Sequence, residues 1–381
     1  MKRNLLKTLA VTVALIPCTA MAQNIHKSWK VDDGNYKVTV TLGNKKKASS
    51  TWVRGESRRL FFQEIQTKKG EFRTLTFTVH KRSPRIDADR RVKLKDRELG
   101  YINWDDSLTL DFVGDRPAVQ DVTIEKDDKA VTLFLCGNST VVDQENEPWA
   151  SWGQMFPRWW DENVCVANYA ESGERTTSFI AANRWAKVMS MAKKGDYIFV
   201  EFGHNDEKDK GPGSGAWYNF STNLKRMIDE VRQKECNIVL VTPTARRSFR
   251  DGHNQNTHGD YPAAVKAVCE RERVPLIDLT EMSTVLYDTE GEEGSKRLLV
   301  HYPANTYPNQ PKALADNTHF NTFGAYELSK CVVMGIKKLN LPIVKYLRAD
   351  WKDFSPSSPD DWQTWNWPDS DRLEILKPDG N

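Results

Sequence analysis

The 381-residue chain is poor in cysteine and lacks a long hydrophobic run, a strong net charge and any internal repeat. Its six cysteines form no C-x-x-C, so neither a zinc knuckle nor a dithiol redox motif is indicated. Setting aside Cys18, near the N-terminus, leaves Cys136, Cys165, Cys236, Cys269 and Cys331, an odd number that cannot all pair. Several lie in apolar runs, where cysteine acts as a small hydrophobe. Glycine (21) and proline (17) are not in excess, which excludes a collagen-like or wholly disordered chain. The formal charge of +3 is too small for a nucleic-acid binder, which carries a basic excess or stripe. The apolar run Leu9 to Ile16 is too short to span a membrane.

What is present starts at the N-terminus. Lys2, Arg3 and Lys7 precede that run, and Ala20-Met21-Ala22 follow it. A basic start, a short apolar middle and a small-x-small end predict a signal peptide over 1–22, cleaved after Ala22, and hence a secreted or periplasmic protein. Pro17 in front of Cys18 counts against a lipoprotein. Without residues 1–22 the net charge is zero, but unevenly so. Residues 23–128 carry 22 Lys and Arg against 17 Asp and Glu, whereas residues 129–381 carry 30 against 35. A basic region is thus joined to an acidic one.

Residues 23–128 read as β. Tyr36–Leu42 alternates apolar and polar residues, as do Leu75–Val79, Leu108–Phe112 and Val122–Ile124, and Leu60–Phe62 is a short apolar strand run, with Gly and Asn between the runs. Short strands in one block predict an antiparallel β-sandwich. From about residue 130 the pattern changes. Ala130–Cys136, Tyr197–Phe202, Ile238–Val241 and Pro275–Leu279 are nearly continuous apolar runs, as strands covered on both faces require. Segments with helical spacing, Asn219–Lys234, Tyr261–Arg271 and Phe323–Leu339, lie between or after them. Strands alternating with helices predict a parallel sheet in a three-layer α/β sandwich over 129–345. Residues 346–381, rich in proline and tryptophan, read as a surface-wrapping extension.

Four polar clusters are candidates for chemistry. Gly137-Asn138-Ser139-Thr140 follows the first buried strand, at the sheet edge where α/β proteins bind ligands. The loop Asn168–Thr176 contains Gly173 and Arg175. Gly203-His204-Asn205-Asp206 ends another buried strand, and Asn205 offers a side-chain donor. Asp316-Asn317-Thr318-His319 precedes the last helix, and a carboxylate three residues before a histidine can orient it toward a serine. Taken singly, each also fits a helix cap or an ordinary turn.

In this order the four clusters resemble the blocks of the SGNH, or GDSL-type, hydrolases over about 131–340. More narrowly, Gly137-Asn-Ser-Thr-Val141, Gly203-His-Asn-Asp206 and Asp316-x-x-His319-Phe320 are similar to the rhamnogalacturonan acetylesterases. The strand pattern of 23–128 resembles a galactose-binding-like domain. The resemblance implies a flavodoxin-like α/β/α catalytic domain. It implies Ser139 as nucleophile, His319 as general base and then acid, and Asp316 as its orienter. It further implies an oxyanion hole made by the backbone N–H groups of Ser139 and Gly173 and the side chain of Asn205. No metal or other cofactor is expected. One departure stands out: the family usually has Asp where this chain has Asn138, which removes a charge beside the nucleophile.

The expected substrate is an acetylated polysaccharide or oligosaccharide, with the rhamnogalacturonan backbone of pectin first and another acetylated glycan such as xylan second. Arg175, Trp149, Trp152 and Arg246 are candidate substrate contacts. A lipid-ester reading is disfavoured because the inserts Glu207–Gly215 and Arg246–Asp260 are polar. A non-enzymatic carbohydrate-binding protein would be favoured by loss of Ser139, Asp316 or His319, and all three are present. Oligomeric state is not legible.

Overall fold

The computed structural model describes residues 24–379; the signal-peptide reading of 1–22 lies outside them. Seven strands come first: β1 (Ile25–Lys30), β2 (Gly34–Gly43), β3 (Ser49–Gly55), β4 (Arg59–Thr67), β5 (Phe72–Lys81), β6 (Ser107–Arg116) and β7 (Val119–Lys126). Within this region every pairing is antiparallel. Along β2, Tyr36, Val38, Val40 and Leu42 are buried and the residues between them partly exposed, the period of two that a half-covered strand shows. Those side chains pack on Val53, Phe61, Leu108, Leu110 and Phe112 of the sheet β1-β6-β3-β4, closing a two-layer core. β1 and β3 escape the sequence reading. β1 alternates weakly and is half exposed, and β3 is buried throughout by contacts from distant parts of the chain.

The α/β region follows. Its strands are β8 (Val131–Gly137), β9 (Val164–Asn168), β10 (Tyr197–Glu201), β11 (Asn237–Val241), the hairpin β12 (Phe249–Arg250) and β13 (His253–Asn254), and β14 (Leu276–Ile277). Its helices are α1 (Trp152–Met155), α2 (Thr176–Ala181), α3 (Arg184–Met191), α4 (Ser221–Gln233), α5 (Tyr261–Glu272), α6 (Leu279–Gly294) and α7 (Thr322–Lys338), with a second hairpin, β15 (Leu299–Tyr302) and β16 (Leu314–Phe320), before α7. The parallel strands lie in the order β9-β8-β10-β11-β14. This is the 2-1-3-4-5 order of a flavodoxin-like sheet.

Both faces of the sheet are covered, which explains the continuous apolar runs. Phe134 and Cys136 of β8 pack with Phe179, Trp185, Ile228 and Val265 from α2 to α5. Leu133 and Leu135 pack with Trp152, Leu286, Val332 and Ile336 from α1, α6 and α7. On α4, Leu224, Met227, Ile228 and Val231 are buried at helical spacing. The five cysteines among the described residues are free.

The two regions share one sheet. β9 meets β5 in parallel through Val166 and Val79, and the eight-stranded order runs β14-β11-β10-β8-β9-β5-β2-β7. Buried charge reinforces the junction. Arg59 places Nε 2.6 Å from Asp143 Oδ2 and donates to the His80 carbonyl at 2.8 Å. Arg58 pairs with Glu147 at 3.3 Å and donates to the carbonyls of Gln144 and Trp149. Asp143 and the partners of Arg58 lie in the loop that follows Ser139.

The C-terminal segment crosses this junction as well. Trp365 and Trp367 stack on each other and meet Trp52 edge-on. Trp351 packs on Trp159 with ring centroids 5.0 Å apart. Leu373 bridges to Glu147 in parallel.

Candidate active site

The sheet order reverses at β8, whose neighbours are β9 and β10. The carboxyl end of β8 is therefore the switch point, where a crevice opens for ligands. Ser139 lies two residues beyond that end. The N–H groups of Val141 and Val142 both donate to the Asn138 carbonyl at 3.0 Å, which folds the chain into a tight turn around the serine. The Asn138 side chain helps: its Oδ1 accepts from Thr140 N at 3.1 Å and Thr140 Oγ1 at 3.0 Å. The oxygen of the amide thus does what either carboxylate oxygen of an Asp could do. The Gln144 amide donates to the Ser139 carbonyl at 2.9 Å.

Glu201, the last residue of β10, holds the turn from below. It accepts from Thr140 Oγ1 at 2.9 Å, Trp152 Nε1 at 2.6 Å and Thr244 N at 3.2 Å. Burial pushes its carboxyl up to about 7, with the three donors pulling the other way. Nothing in the sequence singled out this residue, because it ends an apolar strand.

Asp316 and His319 sit on β16. Leu299 pairs with Phe320 and His301 with Ala315, so residues 316–319 bulge out of the hairpin. The bulge is closed by Asp316 Oδ1, which accepts from Thr318 N at 2.8 Å and His319 N at 3.0 Å, a turn that Asp side chains favour. It brings the carboxylate back onto its own histidine: His319 Nδ1 lies 2.8 Å from Asp316 Oδ2, and Nε2 lies 2.9 Å from Ser139 Oγ. Burial would raise the Asp316 carboxyl. The hydrogen bond and charge of His319 and the two backbone donors outweigh it and hold the group well below the usual carboxylate range. An ionised Asp316 only accepts, so Nδ1 carries the proton and Nε2 is left to accept from the serine. This arrangement can deprotonate a serine hydroxyl as it attacks.

The loops after β9 and β10 complete the crevice. Glu171 N donates to the Gly137 carbonyl at 3.2 Å, and Asn205 Nδ2 donates to the Glu174 carbonyl at 3.1 Å. Gly173 has φ +78°, a conformation glycine adopts without strain. Asp206 ties the two loops together, accepting from Thr176 N at 2.8 Å, Thr176 Oγ1 at 2.7 Å and Gly203 N at 3.1 Å. Burial pushes its carboxyl up to about 6. An amide nitrogen has two hydrogens, so Asn205 keeps one donor beyond the bond to Glu174.

The four expected substrate contacts are placed differently from one another. Trp152 is fully buried and bonded to Glu201; it is core, and the expectation that it lines a sugar subsite is corrected. Trp149 is also buried and meets the His319 ring edge-on at 5.8 Å, so it backs the histidine rather than offering an open face to sugar. Arg175 caps α2 and pairs with Asp209, with 41% of its side chain exposed. Arg246 pairs with Glu207 at 2.6 Å and donates to the His204 carbonyl at 3.1 Å, at the rim of the Asn205 loop. Sequence reasoning missed Lys95, Arg97, Lys377 and Asp379, which reach this crevice from remote parts of the chain. No local pattern marks any of them.

Residues 135–325 match the GDSL-like lipase/acylhydrolase family, and the chain belongs to it. It is a carboxylic-ester hydrolase. The chain is 40% identical over 222 residues to the rhamnogalacturonan acetylesterase RhgT of Bacillus subtilis, covering 58% of this chain and 95% of that protein. It is 32% identical over 218 residues to the probable rhamnogalacturonan acetylesterase YesY of the same organism, 56% and 95% of the two chains. The crystal structure of Bacillus subtilis YxiM shares the fold, with a TM-score of 0.50 and 24% identity over 83% of this chain and 80% of that one. That share is too large to come from the region after residue 129 alone.

Proposed function

We propose that this protein is a carbohydrate acetylesterase that removes O-acetyl groups from the rhamnogalacturonan backbone of pectin through an acetyl-enzyme on Ser139. The observation that carries this reading is the hydrogen-bonded series Ser139–His319–Asp316, in a chain similar over nearly the whole length of a rhamnogalacturonan acetylesterase. Residues 129–345 carry the chemistry in this reading, framed by 23–128 and by the C-terminal extension. The signal-peptide reading of 1–22 sends the protein to the periplasm or the exterior, where such a polymer is met. Among the described residues no helix is long and apolar enough to cross a membrane.

The steps follow from the geometry. His319 Nε2 takes the hydroxyl proton as Ser139 Oγ attacks the acetyl carbonyl. The negative charge that develops on oxygen is met by the N–H groups of Ser139 and Gly173 and by the free hydrogen of the Asn205 amide. The tetrahedral intermediate expels the sugar oxygen, which leaves with the proton held by His319. Water then attacks the acetyl-serine, again giving its proton to His319, which passes it to Ser139 Oγ as the acyl–oxygen bond breaks and acetate departs. Asp316 holds the ring in the required tautomer and stabilises the imidazolium.

The test is acetate release from acetylated rhamnogalacturonan and acetylated xylan side by side, with Ser139→Ala as control. Release from the pectin backbone, lost in the variant, is expected. Release from xylan alone overturns the substrate, and Ser139-independent release overturns the mechanism.

A further inference from the structure

The C-terminal segment does more than wrap the surface. It is anchored beside the nucleophile loop: Arg372 pairs with Glu145 at 2.7 Å, Glu147 N donates to the Arg372 carbonyl at 3.0 Å, and Glu374 N donates to the Glu147 carbonyl at 3.1 Å. From there it runs across the crevice. Lys377 Nζ comes within 3.5 Å of Asp316 Oδ2, the carboxylate bonded to His319. Two residues on, Asp379 lies against Gly173, where a Cβ built on the glycine would stand 3.0 Å from Asp379 Cβ. Pro378, between them, is buried. A segment that touches the catalytic carboxylate at one point and the oxyanion loop two residues later passes over the space between. In this arrangement Ser139 is 3% exposed and His319 1%.

The end of this segment has a specific partner. Asp379 places Oδ1 3.2 Å from Arg97 Nη1 and Oδ2 3.9 Å from Lys95 Nζ. Neither cation is committed to Asp379 alone. Arg97 also donates to Tyr101 Oη at 2.9 Å. Lys95 pairs with Glu174 at 3.2 Å and donates to the Ser172 carbonyl, the residue before Gly173. Two cations thus converge on one carboxylate, directly beside the glycine of the oxyanion loop. A guanidinium and an ammonium arranged in this way recognise a carboxylate whatever molecule carries it.

We propose that Lys95 and Arg97 form a carboxylate-binding subsite beside Ser139, that the chain's own Asp379 fills it in the resting protein, and that a uronate carboxylate of the substrate takes its place. The proposal rests on Ser139 being the nucleophile. It deepens the functional reading by saying how a polyuronate is told from a neutral acetylated glycan. Asp379 is a stand-in for the uronate, and binding of the polymer and removal of the Lys377–Asp379 cover are one event. A ligand that must displace the cover binds more weakly by the fraction of molecules that are open.

Three variants test it: a chain ending at Leu376, Asp379→Asn and Arg97→Gln. Each is assayed on acetylated rhamnogalacturonan, the polyuronate of the proposed function, and on 4-nitrophenyl acetate, with the unfolding midpoint measured alongside. The truncation and Asp379→Asn are expected to lower KM for the polyuronate, by about tenfold if the open form is about a tenth of the population. They should also make free galacturonate a tighter competitive inhibitor. Arg97→Gln should lower the ratio of kcat/KM on polyuronate to that on the neutral ester by about tenfold, on the order of one lost charge-assisted hydrogen bond. Unchanged or higher KM in both C-terminal variants overturns the cover, and an equal loss on both esters in Arg97→Gln overturns the subsite. Should the truncated chain unfold, Asp379→Asn decides. Ser139→Ala in the full chain separates the two readings. Activity surviving it sinks the nucleophile assignment, whereas loss of activity together with unresponsive C-terminal variants sinks the cover alone, and with an equal loss on both esters in Arg97→Gln sinks the subsite.

Discussion

The antiparallel and parallel halves of the eight-stranded sheet are built from the same elements, yet the proposed chemistry gathers at only one of them. The reason is directional. Parallel strands send all their carboxyl ends to one edge, so the loops after β8, β9 and β10 deliver Ser139, Gly173 and Asn205 to a common crevice, and the loop after β11 adds Arg246 at its rim. In β5-β2-β7 successive turns fall on opposite edges, and no three loops converge. The N-terminal region, residues 23–128, contributes charge instead. Its basic excess meets the acidic excess of its neighbour where Arg58 and Arg59 enter the loop after Ser139, and where Lys95 and Arg97 reach the crevice. Accessory strands can thus shape a site to which they supply no reacting atom.

This contrast can be broken in stages. Ser139→Ala should lower kcat by a factor on the order of 10⁴–10⁶, with the unfolding midpoint little moved; acetate release and thermal unfolding check both. A change in the N-terminal region, Arg59→Met, takes the nearer of two arginines from the buried Asp143 carboxylate and leaves Arg82 at 3.9 Å. It should cost about 3–5 kcal/mol in urea unfolding, and much of that should return in the double variant Arg59→Met, Asp143→Leu, where neither charge remains. If Arg59→Met leaves stability intact, the junction is not held by this pair. Asn205→Ala removes one proposed oxyanion donor and should lower kcat by about 10²–10³ with KM nearly constant; a rise in KM alone would make Asn205 a binding group.

The smallest effect is on pH dependence. The Glu201 carboxyl is raised from an ordinary 4.5 to about 7 by burial. Between those values the folded chain keeps a proton that the unfolded chain has released, so stability falls as pH rises through this window. Glu201→Gln cannot ionise and should flatten that slope, by on the order of 3 kcal/mol between pH 4.5 and 7. Urea midpoints at pH 5 and 8 measure it. A slope as steep in the variant as in the parent would assign the titration elsewhere.

Much of the architecture was legible because periodicity reflects how many faces of a strand are covered. β2 and β6 alternate since one face meets the sandwich core, while β8 and β10 do not since helices cover both. β9 was missed: Val164–Asn168 is short, and no pattern announces that it joins β8 to β5. α6 was missed because its apolar positions trace no clean stripe, with only Leu279, Ser283, Leu286 and Tyr287 buried. Of the candidate residues, Ser139, Asp316 and His319 were readable as local signatures, and the structure brings them together across 180 residues of sequence. Trp152 misled because an aromatic near a site and an aromatic in the core look alike in sequence.

The sequence by itself determined the two textures of the chain, the order of its four polar clusters and the short-range bond of Asp316 to His319, because each depends on residues a few positions apart. Tertiary structure alone decided the rest. It joined the two regions through the pairing of Val79 with Val166, set Glu201 under the turn at Ser139, and laid Lys377 and Asp379 over the crevice against Asp316, Lys95 and Arg97. Those contacts link residues some 60 to 280 positions apart. Only the packing of the folded chain supplies the free energy to close loops of that length, which is why no local pattern records them.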